Sequence, residues 1–533
     1  MHDFDLPGVF LSVVRRLGWL FGFIAAVAAT GCGTLPAAVD RPQSMARPPS
    51  AESPLARVGE RSSPDPMSSG FRLMPTGLYA LDARIQLIRR ATDSLDIQYY
   101  LIENDRTGRL FMRSLRNAAL RGVRVRLLVD DLYTAGADPM FRGLAAFENV
   151  EVRLFNPFCC SRETIVGQYV ASLADFGRLN HRMHNKLMVA DGAFAIMGGR
   201  NIADEYFTRS TMSNFVDMDV LIAGAVVPRL ASLFDAYWNS AQAFPVETII
   251  RDASDPAALQ RAFDHLVDEG DQMTSVRLPP IDMLGQRPVG DDLDAGHLEL
   301  VQGRAVVFAD RPAKVAATSI EAARAMTVQM DVMERVMASK DDVVISSPYF
   351  IPGEKGVREF EELRKRNVRV LVLTNSLAAT DEPLVHVGYS RYRTALLRTG
   401  IDLYELSPTR IVEGDRAPIA GKSLGRLHAK AAVIDQTTVY LGSMNLDPRS
   451  ESTNTELGML AECPELARQV VRALEMSKLR GAYRLRFATG RESLEWIAPD
   501  NRGDAVLSSE PEVSPWLRIR NILFAPFVPE QLL

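Results

Sequence analysis

Apolar positions along the chain switch between helical and strand spacing, and the pattern of switches occurs twice. From Gly77, GLYALDARIQLIRRA carries apolar residues at helical intervals, and SLDIQYYLI is a strand rich in β-formers. TGRLFMRSLRNAALRGV reads as a second helix closed by Gly122, and VRVRLLVDD as a buried strand. The order returns downstream as a helix through MERVMASK, the strand VVISSPYFI, the helix GVREFEELRKRN and the strand VRVLVLTNS. Val123 and Val368, in matching strands, lie 245 positions apart (368 − 123). Strands alternating with helices predict an α/β fold whose sheet is covered on both faces.

A second repeat sits inside the first. LNHRMHNKLMVADGAFAIMGGRN contains His184-x-Lys186-x4-Asp191, then Gly198, Gly199 and Asn201. LHAKAAVIDQTTVYLGSMN contains His428-x-Lys430-x4-Asp435, then Gly442, Ser443 and Asn445. The histidines are 244 positions apart (428 − 184), within one residue of the strand offset. After each motif a strand leads into a helix: FVDMDVLIA into VVPRLASLFDAYWNSA, and NTELGMLA into PELARQVVRALEMS. Aligning those strands sets Asp217 beside Glu456. The expected organisation is a first lobe over residues 71–245, a polar connector over 246–300, a second lobe over 301–490 and a tail over 491–533.

The N-terminus reads as an address. Arg15 and Arg16 precede the apolar run LGWLFGFIAAVAAT, which is short for a membrane-spanning helix and fits a secretory signal over residues 1–31. Ala29-Thr30-Gly31-Cys32 resembles a bacterial lipobox, which implies cleavage before Cys32 and lipidation of its thiol. Gly33 in place of Asp favours the outer membrane, so the expected location is the cell envelope, lipid-anchored and facing the periplasm. Residues 32–70, rich in Pro, Ser, Ala and Arg, read as a disordered tether. The tail PWLRIRNILFAPFVPEQLL mixes aromatic residues with Arg518 and Arg520, and suits either an interfacial membrane contact or packing on the body.

Composition narrows the chemistry. The 533 residues are 47% hydrophobic and 24% charged with a net charge of −5, which gives no reason to expect a nucleic-acid-coating surface. The four cysteines, Cys32, Cys159, Cys160 and Cys463, have no C-x-x-C spacing, and the adjacent pair reads as two packed thiols. GDRAPIAGKS, from Gly414, lacks phosphate-loop spacing and reads as a plain loop. His181 is expected to be exposed or to stand behind the site, and His265 and His297 to be solvated. Tyr99, Tyr100, Tyr349 and Phe350 end paired strands and are expected in the core, with the lining of an acyl groove as the alternative.

Each motif alone offers a nucleophile or a proton donor, not both. Two copies together supply two imidazoles, two ammonium groups and two carboxamides, a set suited to a phosphodiester. One imidazole attacks phosphorus, and the other protonates the leaving alcohol and then deprotonates the incoming hydroxyl. Lys186, Lys430, Asn201 and Asn445, with Gly199 and Ser443, are expected to hold the non-bridging oxygens. Asp191 and Asp435 are counted with the catalytic motif residues and are expected to face away as salt-bridge partners. Each imidazole needs a carboxylate to fix its tautomer. Asp217 is assigned to His184, with Asp219 as substitute, and Glu456 to His428. No metal or other cofactor is required.

The paired motifs with GGRN and GSMN resemble those of the phospholipase D superfamily, over about residues 77–496. IQYYLIENDRTG, HNKLMVADG, SPYFIPG, NLDPRSESTNTE and EPEVSPW bring the likeness closest to bacterial cardiolipin synthases of the C type. The resemblance implies two α/β lobes, each a mixed sheet flanked by helices, related by a pseudo-twofold axis with the site between them. It implies transphosphatidylation through a phosphohistidine, with His184 as nucleophile and His428 as acid–base. Phospholipid substrates follow, phosphatidylglycerol and phosphatidylethanolamine among them, at a membrane surface and with a place for a protein partner of unstated identity. The same motifs serve hydrolytic phospholipase D and, less in keeping with the acidic charge, a periplasmic nuclease or phosphodiesterase.

Overall fold

A computed structural model describes residues 35–36, 38–171, 175–269, 278–317, 319–410, 423–499 and 504–524. The signal segment, Cys32, most of the loop from Gly414 and the end of the tail lie outside the described residues. The first half contributes β1 (Ser69–Met74), β2 (Ser94–Tyr99), β3 (Arg124–Asp130), β4 (Val150–Phe155), β5 (Leu187–Ala190), β6 (Phe194–Gly198), β7 (Ser213–Val216), β8 (Asp219–Gly224) and β9 (Ala243–Pro245). The second contributes β10 (Val301–Ala309), β11 (Asp342–Ser346), β12 (Arg369–Asn375), β13 (Asp402–Leu406), β14 (Leu424–Leu427), β15 (Ala431–Ile434) and β16 (Thr438–Gly442). It continues with β17 (Leu457–Glu462), β18 (Ala482–Phe487), β19 (Leu494–Ala498) and β20 (Ala505–Leu507).

Pairing runs β1-β8-β6-β5-β2-β3-β4-β9 in one lobe. It runs β10-β17-β16-β15-β11-β12-β13-β18-β19-β20 in the other. Only β2-β3-β4 and β11-β12-β13 run parallel within these sheets, so both lobes share one mixed topology. An antiparallel β1–β10 pairing joins them edge to edge, as a local twofold would relate them.

Local sequence explains the shared design. The helix Arg106–Leu120 starts at Asp105, whose carboxylate accepts from the Gly108 amide, and ends before Gly122 at φ +92°. A side chain at Gly108 would collide with the Glu103 carbonyl, so only glycine fits there. Helix Val227–Trp238 packs on β2, β5 and the other lobe's β10, and Pro464–Gly481 packs on β13, β15 and the other lobe's β1. One apolar cluster consequently contains Leu187, Val220 and Phe234 together with Leu427, Val433 and Val470. The junction is a packed core, and separating the lobes would expose it to water.

Three boundaries differ from the sequence reading. Residues 38–70 are ordered against the first lobe rather than a disordered tether. The Ser44 and Ala46 amides donate to Asn239 and Asp235, and Arg126 donates to the Ser44 carbonyl. Helix Pro54–Ser62, capped by Ser53, buries Leu55 and Val58. Most of this strap is held by hydrogen bonds to buried charged residues, which apolar periodicity does not register. Residues 246–300 are not irregular either. Asp255 caps helix Pro256–Asp268, which buries Leu259, Phe263 and Val267 and packs on the helices Asp138–Leu144 and Arg106–Leu120. Finally, β19 and β20 carry the second sheet past residue 490. His265 and His297 are exposed as expected.

The strap makes a measurable difference. Leu55→Ala should cost about 2–4 kcal/mol in equilibrium unfolding, and limited proteolysis of the native chain should leave residues 44–62 uncut. A silent substitution with early cleavage there would mean a loose tether.

Candidate active site

The chain approaches each motif along the opposite lobe. Met183 pairs with Thr455, the His184 amide donates to the Thr455 carbonyl at 2.9 Å, and the Thr455 amide donates to the Arg182 carbonyl at 2.8 Å. On the other side β14 lies parallel to β7, and the His428 amide donates to the Val216 carbonyl at 2.8 Å. His184 therefore arrives beside Glu456, and His428 beside Asp217.

This crossing overturns the same-lobe assignment of carboxylates. His184 Nδ1 donates to Glu456 Oε2 at 3.0 Å, and His428 Nδ1 donates to Asp217 Oδ2 at 2.6 Å. All four groups are buried. Aligning the repeats pairs Asp217 with His184, because alignment does not register that the segment entering each motif pairs with the opposite lobe. The proposed substitute, Asp219, is tied instead to Arg84 and Arg200 in a buried ion-pair cluster. With Nδ1 engaged on each ring, Nε2 is the nitrogen left for chemistry.

The two carboxylates are not equivalent. Glu456 divides its acceptor capacity, taking hydrogen bonds from the hydroxyls of Ser443 and Ser450 as well as from His184. Asp217 Oδ2 is directed to His428, while Oδ1 accepts from the Met218 amide. Burial, followed by the neighbouring Lys186 charge, lowers His184 to about 4 against a smaller upward pull from Glu456. Burial and Lys430 lower His428 as well. Burial alone would raise Asp217, but His428 and Lys430 outweigh it and bring the carboxyl down to about 2.

Lys186 and Lys430 stand in the same relation to their histidines. Each ammonium donates to the carbonyl of the histidine two residues before it, at 2.6 Å. Burial brings Lys430 down to about 8 and Lys186 well below the ordinary lysine value. Asn201 Nδ2 donates to the Tyr206 hydroxyl, and the Asn445 amide nitrogen of the main chain donates to Ser450. Both side-chain Oδ1 atoms are buried without a hydrogen-bond partner among the described residues. Tyr206 packs on His428 and Ser450 binds Glu456, so each Gly-x-x-Asn loop also serves the opposite histidine.

Other expected site residues prove structural. Asp191 and Asp435 face away from the pocket, but among the described residues neither forms a salt bridge. Asp191, at φ +50°, accepts from the amides of Thr92, Asp93 and Ser94 and from the Ser53 hydroxyl. Asp435, at φ +49°, accepts from the amides of Lys340, Asp341 and Asp342. Each occupies the left-handed turn between two strands, a conformation aspartate tolerates, while capping the start of a parallel strand. Gly199 and Ser443 do not offer donors to a phosphate. The Gly199 amide donates to the Met218 carbonyl, and a side chain there would meet Asp217 Oδ1 at 2.1 Å. The Ser443 hydroxyl is spent on Glu456.

Several residues at the site carried no functional expectation. Asp130 accepts from the Met183 amide, just before His184, and Asn375 exchanges two hydrogen bonds with Leu427, just before His428. They are 245 positions apart (375 − 130), the offset of the strands they end. That repeat could have revealed them. Tyr100 lies edge-on to His184 with ring centres 5.0 Å apart, and Tyr206 and Phe215 pack on His428. Tyr99 and Phe350 are in the core as expected, whereas the Tyr349 hydroxyl donates to Asp381. The ring of His181 donates to the Gly177 carbonyl, the Cys159 and Cys160 sulfurs lie 2.7 Å apart without a disulfide between them, and the Cys463 thiol donates to the Gln302 carbonyl.

The crossing can be read by NMR. Asp217→Asn should shift the Nδ1 proton resonance of His428 and leave that of His184 in place, while same-lobe pairing would give the reverse. Asp191→Ala should lose about 2–4 kcal/mol of stability through orphaned amides, with the turnover of the remaining folded protein within about tenfold of wild type. A loss of turnover beyond 100-fold at unchanged stability would return Asp191 to the chemistry.

Comparison with known proteins finds a family match in each lobe. The sequence profile described as "Cardiolipin synthase, PLD-like domain" matches residues 84–238 and 332–477, one match per lobe. Cardiolipin synthase C of Escherichia coli is 36% identical over 458 residues, covering 85% of this chain and 94% of that protein. A cardiolipin synthase of Staphylococcus aureus is 24% identical over 438 residues, covering 80% of this chain and 72% of that one. Among solved structures, phosphatidylserine synthase of Haemophilus influenzae superposes with a TM-score of 0.54 at 12% identity, covering 87% of this chain and 95% of its own, a likeness of fold. The chain belongs to the cardiolipin synthase family of phospholipase D-like proteins.

Proposed function

We propose that the protein is a phosphatidyltransferase that makes cardiolipin-type lipid by double displacement. The observation that carries this reading is the pair of buried imidazoles, each held through Nδ1 by a carboxylate of the other lobe. Membership of the cardiolipin synthase family and the likeness to the Escherichia coli enzyme supply the substrate class, phospholipid.

The roles follow from the asymmetry of the two pairs. His184, neutral at pH 7 and steadied by a carboxylate shared with two hydroxyls, uses its Nε2 lone pair to attack the phosphorus of the donor lipid. The headgroup oxygen leaves with a proton from Nε2 of His428, whose imidazolium is stabilised by the dedicated Asp217. Phosphatidyl-His184 remains. A hydroxyl of the acceptor, such as the glycerol headgroup of phosphatidylglycerol, returns a proton to His428 and attacks phosphorus, which frees His184. Lys186 and Lys430 balance the charge on the non-bridging oxygens, and the bound anion favours their ammonium forms. Asn201 and Asn445 would contribute side-chain N–H groups to the same oxygens. Water in place of the acceptor would give phosphatidic acid.

Location belongs to the same proposal. Among the described residues no helix is long and apolar enough to cross a membrane. Lipidation of Cys32 would anchor the chain in the envelope, facing the periplasm from the outer membrane, and the ordered strap from residue 38 would then keep the body close to its anchor.

Purified mature protein incubated with phosphatidylglycerol and phosphatidylethanolamine, separately and mixed, should form cardiolipin without added metal. His184→Ala should reduce that product at least roughly 1000-fold. Phosphatidic acid as the sole product would make the protein a hydrolase. The pH profile carries a second expectation. Protonating His184 removes the attacking lone pair, so kcat/KM should fall as pH drops through about 4 rather than near the ordinary histidine value. Glu456→Gln removes a charge that raises His184, so the acid limb should move to still lower pH. A limb near pH 6.5 would contradict the assignment.

A further inference from the structure

The tail past β20 is clamped to the second lobe before it forms its last helix. Glu510 pairs with Arg393 at 2.8 Å and lies 3.3 Å from His386, and Glu512 accepts from the Ser407 hydroxyl. Helix Pro515–Phe524 then packs on helix Pro383–Ser390, with Asn521 buried and its Nδ2 donating to the Pro383 carbonyl. A helical period places Leu517, Arg518 and Asn521 on the packed side and Trp516, Ile519, Arg520 and Leu523 on the other. Trp516 is 72% exposed, Ile519 50% and Leu523 63%. A soluble surface has no use for a tryptophan and two large aliphatic residues aligned on a firmly held helix.

Their position gives the face its meaning. The helix Pro383–Ser390 follows directly on Asp381, which binds the Tyr349 hydroxyl and whose charge reaches His428. Leu384, on the same helix, is 42% exposed. On the first lobe Tyr133 is 40% exposed and stacks edge-on with Tyr100, the ring that touches His184. Glu382 lies near enough to raise the Tyr133 phenol, after burial itself. Exposed apolar side chains thus stand beside the active site, on helix Pro383–Ser390 and on the last helix, with Arg520 next to them. Aromatic and aliphatic side chains next to an arginine suit the boundary between lipid headgroups and acyl chains.

We propose that the outer face of helix Pro515–Phe524, together with Leu384 and Tyr133, docks on a phospholipid bilayer and sets the mouth of the active site against it. The lipid substrate then reaches the two histidines while its acyl chains remain in the membrane. This inference rests on phospholipid being the substrate, as proposed above.

The test uses the full mature chain bound to phosphatidylglycerol–phosphatidylethanolamine vesicles whose acyl chains carry bromine. The emission of Trp516, obtained by difference from Trp516→Phe, should be quenched severalfold, a readout independent of any lipid on Cys32. The variant Ile519→Glu/Leu523→Glu should turn over vesicle lipid roughly tenfold more slowly while keeping its rate on a monomeric short-chain phospholipid within about twofold. Unquenched Trp516, as a second copy or a protein partner on this face would leave it, overturns the proposal. So do two rates that fall together or do not change. Quenching of Trp516 in a chain that turns over no lipid in either form would sink the assigned substrate and leave the docking face standing.

Discussion

Two hydrogen bonds between lobes hold the site together: His184 to Glu456 and His428 to Asp217. Each joins residues far apart in sequence, 272 and 211 positions respectively. A single lobe has one imidazole without its carboxylate and one carboxylate without its imidazole. Both groups are buried, and leaving either unpaired would be costly, so the lobes are committed to each other by chemistry as well as by their shared apolar core. The edge pairing of β1 with β10, the parallel β7–β14 pair and the Met183–Thr455 bridge all serve this arrangement. Together they bring each histidine to the carboxylate of the opposite lobe.

Near-symmetry then raises the question of how one site performs two different roles. The answer lies in the surroundings of the carboxylates. Ser443 takes the place that Gly199 holds in the first lobe, and its hydroxyl, with that of Ser450, draws on Glu456. Asp217, packed against Gly199, has no such competitor for its Oδ2 in this geometry. A duplicated scaffold therefore becomes a nucleophile on one side and a proton carrier on the other through the Gly-to-Ser difference at positions 199 and 443 and the further hydroxyl of Ser450. The motif aspartates, Asp191 and Asp435, support both sides equally, because turning a strand and capping its neighbour is the same task in each lobe.

Much of this was legible in the sequence, and what was not has a common cause. The 244–245-residue offset exposed the two lobes, the paired histidines and lysines, and the covered sheet, since each depends on local periodicity or on repetition. Asp217 and Glu456 were recognised as orienting groups, but their partners were exchanged, because alignment of repeats reports equivalence and not contact. The strap over residues 38–62 escaped notice for a related reason. Its order comes from bonds to Arg126, Asp235 and Asn239, all distant in sequence, and a Pro- and Ser-rich stretch gives no periodic sign of them. Helix Pro256–Asp268 was hidden among polar residues because only one narrow stripe of it is apolar.

The central claim is that a site shared by two lobes carries the phosphatidyl group on His184. Rapid acid-free quenching of wild-type protein with a labelled phospholipid donor, followed by peptide mass analysis, tests it most directly. The label should be found on the peptide containing His184, and it should disappear when unlabelled acceptor lipid is added before the quench. Label on the His428 peptide, or product formed with no labelled histidine at any time, would contradict the account.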